Sequence, residues 1–369
     1  MDRPTVNRRD WLKTAGAALI GAGAGAAAST YALRGGGRKM APVKASPERV
    51  IRTVVGLRPF RASGFRLESE TLGKKTIIHN YGHGGGGMTL SWGSAHLAWE
   101  EALKTGQRTF AVIGCGGVGL ATARLLQRQG FEVTIYAKDL PPKTTSNVAC
   151  ASWYPAESSD PNQRTPEYME RFTRAARLSY RYFQEMAGDY YGIRWMHSYT
   201  LSDDPPEASE VSAIRDLFPE TRDLRRNEHP FGHPYCNRIW QMLIEPPIYL
   251  NAVMRDFLLA GGRIVVRELA DREDVLKLKE PVVMNCSGLG AKALFGDEEL
   301  MPIKGQLTIL VPQPEVDYMM VYEGLYMMPR KDGVLLGGTH ERGEWSLEPN
   351  PLEAERVMSG HIEFYKKMG

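Results

Sequence analysis

The chain has 369 residues, 43% hydrophobic and 24% charged, with 46 Lys/Arg against 43 Asp/Glu and a formal charge of +3. That length supports one large domain or two intertwined ones, with the composition of an ordinary globular protein. The positive excess lies in residues 1–45, which hold eight Lys/Arg against two Asp/Glu; the rest holds 38 against 41 and no basic stripe, which argues against a nucleic-acid partner.

The first element is "NRRDWLKTAGAALIGAGAGAAAST". Arg8 and Arg9 precede a weakly apolar, Ala/Gly-rich run of signal-peptide length, and small residues near Ala28 suit cleavage. The segment resembles a twin-arginine export signal, with Asn7 for the commoner Ser/Thr and Trp11 for Phe. Such a signal implies delivery by the twin-arginine export machinery to the periplasm or the exterior, with the protein folded and its cofactor in place. An uncleaved anchor is the alternative, although the run is glycine-rich and weakly hydrophobic for a spanning helix. A linker follows at 34–47, and residues 1–45 are set apart from the fold.

Next come "VVGLRPFR" at 54–61 and "IIHNYGHGGGGMTLSWG" at 77–93. The latter is a glycine-rich turn feeding a helix, with the look of a phosphate or cofactor cradle. A second glycine loop follows at once. "RTFAVIGCGGVGLATARLLQRQGFEVTIYAKD" has a complete βαβ layout, with a strand at 110–113, a helix carrying Leu120, Ala123 and Leu126, and a second strand at "EVTIYA". Gly114 permits the tight turn, Gly116 lets the backbone reach a pyrophosphate, and Gly119 lets helix and strand pack closely; Gly117 and Val118 open the helix. Asp139 lies where a ribose-binding acid belongs, but Lys138 beside it suits an NADP phosphate. The loop alone leaves flavin and nicotinamide open.

The remaining features are blander. Cys115, Cys150, Cys236 and Cys286 match no zinc or disulfide pattern and read as buried structural thiols. His79 and His83 flank a glycine turn rather than a helix, and His229, His233 and Cys236 lie in a proline-rich loop, so no metal site is expected. "TPEYMERFTRAARLSYRYFQEM" at 165–186 reads as an amphipathic helix, capped by Thr165 with Pro166 in its first turn.

"YAKDLPPKTTSNVACASWYP" (136–155) decides between the cofactors, because it resembles the threonine-rich flavin loop of the D-amino-acid oxidase family. The likeness continues through "MNCSGLGAKAL" (284–294), "PIKGQL" (302–307) and "LYMMPRKDGVLLGGTHERGEW" (325–345) to a helix near 351–367. The family then continues with an F-R-P strand and an H-N-Y-G-H-G-G loop. Here those pieces stand at the front, as "LRPF" and "HNYGHGGGG". The chain therefore resembles a circular permutation of that family, with the usual ends fused near Lys104–Arg108 and new ends near residue 46 and Gly369. On this reading the two glycine loops clasp one FAD.

The resemblance implies an α/β (α+β) fold, with a Rossmann-type FAD-binding domain and a mixed or antiparallel substrate sheet. The flavin core is expected at 77–155 and 250–295. The substrate part is expected at 296–369 and takes most of 156–249, completed by 46–76. It implies oxidative deamination of a D-amino acid by hydride transfer from the α-carbon to flavin N5, with oxygen reduced to hydrogen peroxide. Arg58 is expected to clamp the substrate carboxylate, with the Tyr326 hydroxyl on the same group, Tyr322 as a lid and the Gly85 carbonyl on the amine. Besides Gly114–Gly119, the FAD contacts implied are Lys138, Asp139, Thr144, Thr145, Ala149, Ala151, Ser152, Leu269, Ser287, Gly288, Gly84, Gly85, Gly87, Met88 and Thr89.

Lys138, Gly86 and Tyr154 depart from the family pattern. His340 and Arg342 lie near the place where D-aspartate oxidases carry an acid-reading arginine, so a substrate with a side-chain carboxylate stays open. So do a dehydrogenase that passes electrons to a quinone or carrier, a flavin-binding protein without catalysis, and a homodimer.

Overall fold

The structure, a computed structural model, describes residues 40–150, 152–205 and 210–368. The expected export signal and the expected flavin contact Ala151 lie outside the described residues. Two sheets organise the described chain. The first runs, in spatial order, β2 (Arg66–Leu72), β3 (Lys75–Tyr81), β10 (Val282–Asn285), β4 (Thr109–Ile113), β5 (Glu132–Ala137) and β9 (Arg263–Val266). From β3 to β9 it is parallel, and β2 joins β3 antiparallel. Its inner strands read as unbroken apolar runs, such as "FAVI" and "VVM", because both faces are covered.

Helices supply that cover. α1 (Ser91–Leu103) packs on α2 (Gly117–Arg128) and on α4 (Pro166–Glu185), and α2 packs on α5 (Pro246–Leu259). Leu120, Ala123 and Leu126 of α2 meet Phe110 and Val112 of β4 in the main core, as their helical spacing predicts. Gly93 brings α1 against α4, since a Cβ there would overlap the Ala175 backbone. α4 begins as expected, with Thr165 Oγ1 accepting from the Tyr168 amide at 3.1 Å and Pro166 in the first turn. The minor helices are α3 (Thr145–Val148), α6 (Arg272–Leu276) and α7 (Gly290–Phe295).

The second sheet runs β1 (Val50–Phe60), β11 (Met301–Leu310), β14 (Gly333–Gly337), β13 (Leu325–Arg330), β12 (Tyr318–Tyr322), β6 (Ile193–Ser202), β8 (Tyr235–Ile244) and β7 (Arg222–Leu224). The short β15 (Glu341–Arg342) pairs beside β11. All its pairings are antiparallel except β12 with β6, so this is the expected mixed sheet. α8 (Pro351–Lys366), capped by the Asn350 side chain, covers part of one face.

Pairing and packing divide two of the expected segments. Residues 46–76, expected to complete the substrate domain, divide between the two sheets. Strand β1 joins the mixed sheet, while β2 pairs with β3 from Arg66↔Tyr81 to Leu72↔Lys75 and so extends the parallel sheet. Within 156–249, α4 buries Tyr168, Phe172 and Phe183 in the same core as α1 and α2.

Candidate active site

Three neighbouring parallel strands, β3, β10 and β4, end at one edge of the first sheet, and each is followed by a glycine turn. Ligands of open parallel sheets bind outside such carboxyl ends. After β4, Gly114 adopts φ +105°, and a Cβ there would lie 2.5 Å from the Cys286 carbonyl oxygen. A Cβ on Gly119 would overlap the Gly114 carbonyl, which is the close helix–strand approach anticipated. Leu120 makes the first helical bond of α2, to the Gly116 carbonyl at 2.9 Å, so the amides of Gly117, Val118 and Gly119 have no helical acceptor. Ser146, a residue the sequence reading passed over, meets the Gly117 amide through its hydroxyl at 2.9 Å.

The two glycine loops meet. A Cβ on Gly117 would touch the Met88 sulfur at 3.3 Å. Thr89 Oγ1 ties its loop to the Gly86 carbonyl at 3.1 Å, and Gly84 and Gly87 lie in the same turn. Ser287, after β10, donates to Asn285 Oδ1 at 2.6 Å, and Gly288 takes φ +58°. Thr144 and Thr145 begin α3, with Thr144 Oγ1 bonded to Asn147 Oδ1 at 2.8 Å, while the Asn147 Nδ2 is buried without a partner. The Ala149 carbonyl accepts from Arg330 at 3.1 Å, and Ser152 bridges to Leu243 of β8. Lys138 and Asp139 are exposed beyond β5, with Lys138 Nζ 3.8 Å from Glu268 and Leu269 half-buried nearby. The Val118 and Gly119 amides without a helical acceptor, glycines where a side chain cannot fit and an unpaired amide on α3 together suit a dinucleotide diphosphate. The residues present therefore fit FAD.

Arg58 and Tyr326 come together across the mixed sheet, although 268 positions apart, with the Arg58 Nη2 3.4 Å from the tyrosine hydroxyl. Two glycines make the room. The guanidinium lies over Gly305, where a Cβ would be 2.8 Å away, and a Cβ on Gly337 would overlap the Tyr326 ring. The Nη1 of Arg58 is buried with no partner. A buried orphan donor costs about 1–3 kcal/mol unless a ligand satisfies it. Burial holds the Tyr326 hydroxyl far above the usual tyrosine range, so it stays a neutral donor. Packed against it is the Cys150 thiol, itself pushed up to about 11 by burial. Cys150 therefore lies at the site rather than serving only as core.

Tyr322 is elsewhere. A hairpin at Glu323–Gly324 pairs Tyr322 with Leu325 and Val321 with Tyr326, so the two tyrosines point to opposite faces of the sheet. Tyr322 donates to Asp203 at 3.0 Å and stacks near His233 (4.2 Å) and Phe364 (5.4 Å). Four residues of separation within a strand would have kept them on one face; the turn reverses that parity.

A cleft of about 310 Å³ opens beside Phe60 and Ile303, with Glu157, Asp160, Arg164, His340 and Arg342 on its walls. Glu157 was invisible to motif reasoning. Its φ is +56°, and its carbonyl accepts from the Gly85 amide at 3.0 Å. The His340 ring, then Arg58, hold its carboxyl below the ordinary range. Arg342 binds Asp160 through both nitrogens at 3.1 and 3.0 Å and covers the Phe60 ring at 4.8 Å, so its charge is already engaged. Among the described residues, no cluster of three or more His, Cys, Asp or Glu could hold a metal.

The chain matches the family described as "DAO: FAD dependent oxidoreductase" over residues 13–100 and 109–367. It is 33% identical over 253 residues to the D-amino-acid oxidase of Rubrobacter xylanophilus, covering 67% of this chain and 74% of that one. It is 28% identical over 262 residues to the D-aspartate oxidase of Homo sapiens, covering 68% and 73%. The crystal structure of glycine oxidase from Geobacillus kaustophilus superposes with a TM-score of 0.54 at 17% identity, over 71% of this chain and 80% of that one, and shares the fold. The chain belongs to the DAO family of FAD-dependent oxidoreductases.

Proposed function

We propose that this protein is an FAD-dependent D-amino-acid oxidase, converting a D-amino acid, oxygen and water to the 2-oxo acid, ammonia and hydrogen peroxide. The observation that carries this reading is the unpartnered, buried Nη1 of Arg58 beside the neutral Tyr326 hydroxyl. A planar guanidinium with a free arm and an adjacent hydroxyl suit an α-carboxylate. Relatives named D-amino-acid oxidase at 25–33% identity support the same reaction.

FAD would be held by the loops after β3, β4 and β10 and by α3, and when bound supplies the two-electron acceptor for the Cα–H bond and passes the electrons to oxygen. The chain's own residues orient. Arg58 and Tyr326 fix the carboxylate, the Gly85 carbonyl faces the amine, and the chirality at Cα follows from those anchors. No side-chain base is needed for the Cα–H bond once the amine is neutral.

The test is anaerobic addition of D- and L-amino acids to the purified flavoprotein, followed by air. Bleaching by D-isomers only, with peroxide on reoxidation, is expected. Bleaching with sluggish reoxidation by air would mark a dehydrogenase instead, and no bleaching by any amino acid would leave a binding protein.

Two finer readings go with this. The order of motifs supports a circular permutation, as does the gap at 101–108 between the matched segments. Five residues, 104–108, connect α1 to β4 there. A chain recut at 104–108 with 46 joined after 369 should bind flavin with an unchanged spectrum. Arg8 and Arg9 support twin-arginine export; changing both to Lys should retain the protein inside the cell.

A further inference from the structure

The cleft beside Arg58 contains one anion, Glu157, that no arginine or lysine grips in a direct ion pair. Asp160 is taken by Arg342, which grips it through both nitrogens. Arg164 is turned onto the Ser159 hydroxyl at 3.1 Å and its carbonyl at 3.4 Å. Glu157 has the His340 ring at 3.7 Å and feels the Arg58 charge without pairing with it, and both the Glu157 and His340 side chains are about half exposed.

Glu157 is also held stiffly. Its left-handed φ of +56° is strained for a glutamate, and such strain persists where surroundings over-determine it. Its carbonyl is bonded to the Gly85 amide, and a Cβ on Gly84 would overlap that carbonyl. The side chain passes the same loop, since a Cβ on Gly85 would lie 3.1 Å from its Cβ and 3.4 Å from its Oε2. Its charge acts on both Arg58 and Tyr326. A carboxylate thus stands fixed at the edge of the site, facing the space beyond the Arg58 anchor and between Phe60 and Ile303.

We propose that Glu157 is a specificity-determining residue that selects D-amino acids carrying an ammonium or guanidinium at the end of the side chain. The proposal rests on the oxidase reading above. A substrate anchored by its α-carboxylate on Arg58 sends its side chain into the cleft, where Phe60 and Ile303 line the methylenes and Glu157 meets the terminal cation. An acidic side chain would meet the same carboxylate and be repelled, and Arg342 is not free to receive it.

The test uses the full-length flavoprotein and compares kcat/KM for D-lysine, D-norleucine, D-alanine and D-glutamate. D-norleucine matches the length of D-lysine without its charge. The wild type should favour D-lysine over D-norleucine by about tenfold or more, the range expected of one charge-assisted hydrogen bond. In Glu157→Gln the ratio should fall to within about threefold of unity, and in Glu157→Lys it should invert while D-glutamate gains. A wild-type ratio near unity, with D-norleucine and D-alanine oxidised well, would overturn the specificity and leave the oxidase reading intact. Equal losses for D-lysine and D-alanine in Glu157→Gln would also overturn it and make Glu157 a general amine acceptor. Oxidation of none of the four D-amino acids by the wild type would overturn both readings. The wild-type ratio is informative even if a variant fails to fold.

Discussion

Gly305→Ala isolates the positioning of Arg58 from the fold. Gly305 pairs with Gly56 across β1 and β11, and its backbone is not in the left-handed region. Alanine there brings no torsional strain, and lost freedom in the unfolded chain would favour it by about 0.4–1 kcal/mol. The new methyl, however, would lie 2.8–2.9 Å from Cζ, Nη2 and Nη1 of Arg58. Ordinary carbon contacts are about 3.5 Å, so the guanidinium must retreat by roughly 0.6–0.7 Å. It can do so cheaply, being the far end of a flexible side chain, but it then loses one arm on the substrate carboxylate. A hydrogen bond to a charged group contributes about 1.5–3 kcal/mol, or roughly 10- to 150-fold in kcat/KM. Stopped-flow reduction by D-amino acids, flavin absorbance and thermal unfolding check this together. The expected result is a large loss of kcat/KM, a retained flavin spectrum and a Tm within about 2 °C of the wild type. Undiminished kcat/KM would refute the assignment of Arg58 as the anchor, and a collapsed Tm would refute the claim that the side chain yields rather than the sheet.

Tyr326→Phe removes only the hydroxyl 3.4 Å from Arg58; kcat/KM should fall about tenfold with Tm little changed, and equal kinetics would exclude that hydroxyl from the substrate. Gly119→Ala forces a methyl into the Gly114 carbonyl, so α2 must move off β4; the variant should purify without flavin and lose about 1–3 kcal/mol in urea unfolding, whereas a yellow, fully stable protein would contradict the tight packing. His79 and His83 are both lowered to about 3, chiefly by burial, and then by Arg66 and Arg171 respectively. Below the ordinary histidine pKa of about 6.5 the unfolded chain binds protons that the folded chain refuses, so stability is full above about 6.5 and falls as pH drops toward 3. Replacing His83 by Phe should lessen the slope between pH 5 and 6.3 by up to about 1.4 kcal/mol per pH unit in equilibrium unfolding; an identical slope would show that the ring does not stay neutral.

Much of the flavin half is legible in the sequence itself, because its signals are local. The glycine spacing at 114–119, the apolar strand at 110–113, the helical spacing of Leu120, Ala123 and Leu126 and the Thr165 cap each lie within a few residues of the structure they specify. Backbone sterics and hydrogen-bond geometry act at that range. Arg58 and Tyr326 were readable only through motifs resembling a family, since nothing near either residue indicates the other.

Tertiary structure alone decided the rest. Strand register, with a hairpin that reverses side-chain parity, put Tyr322 on the face opposite Tyr326. Sheet pairing gave β2 to the parallel sheet, and the shared core drew α4 to α1. Glu157, Cys150, Gly305 and Gly337 became site residues because chain segments far apart in sequence converge on Arg58 and Tyr326. Local order is set by interactions within a few residues, and so it is written in the sequence. The lining of a cleft is set by non-local closure and side-chain parity, where a single turn changes which face each residue serves.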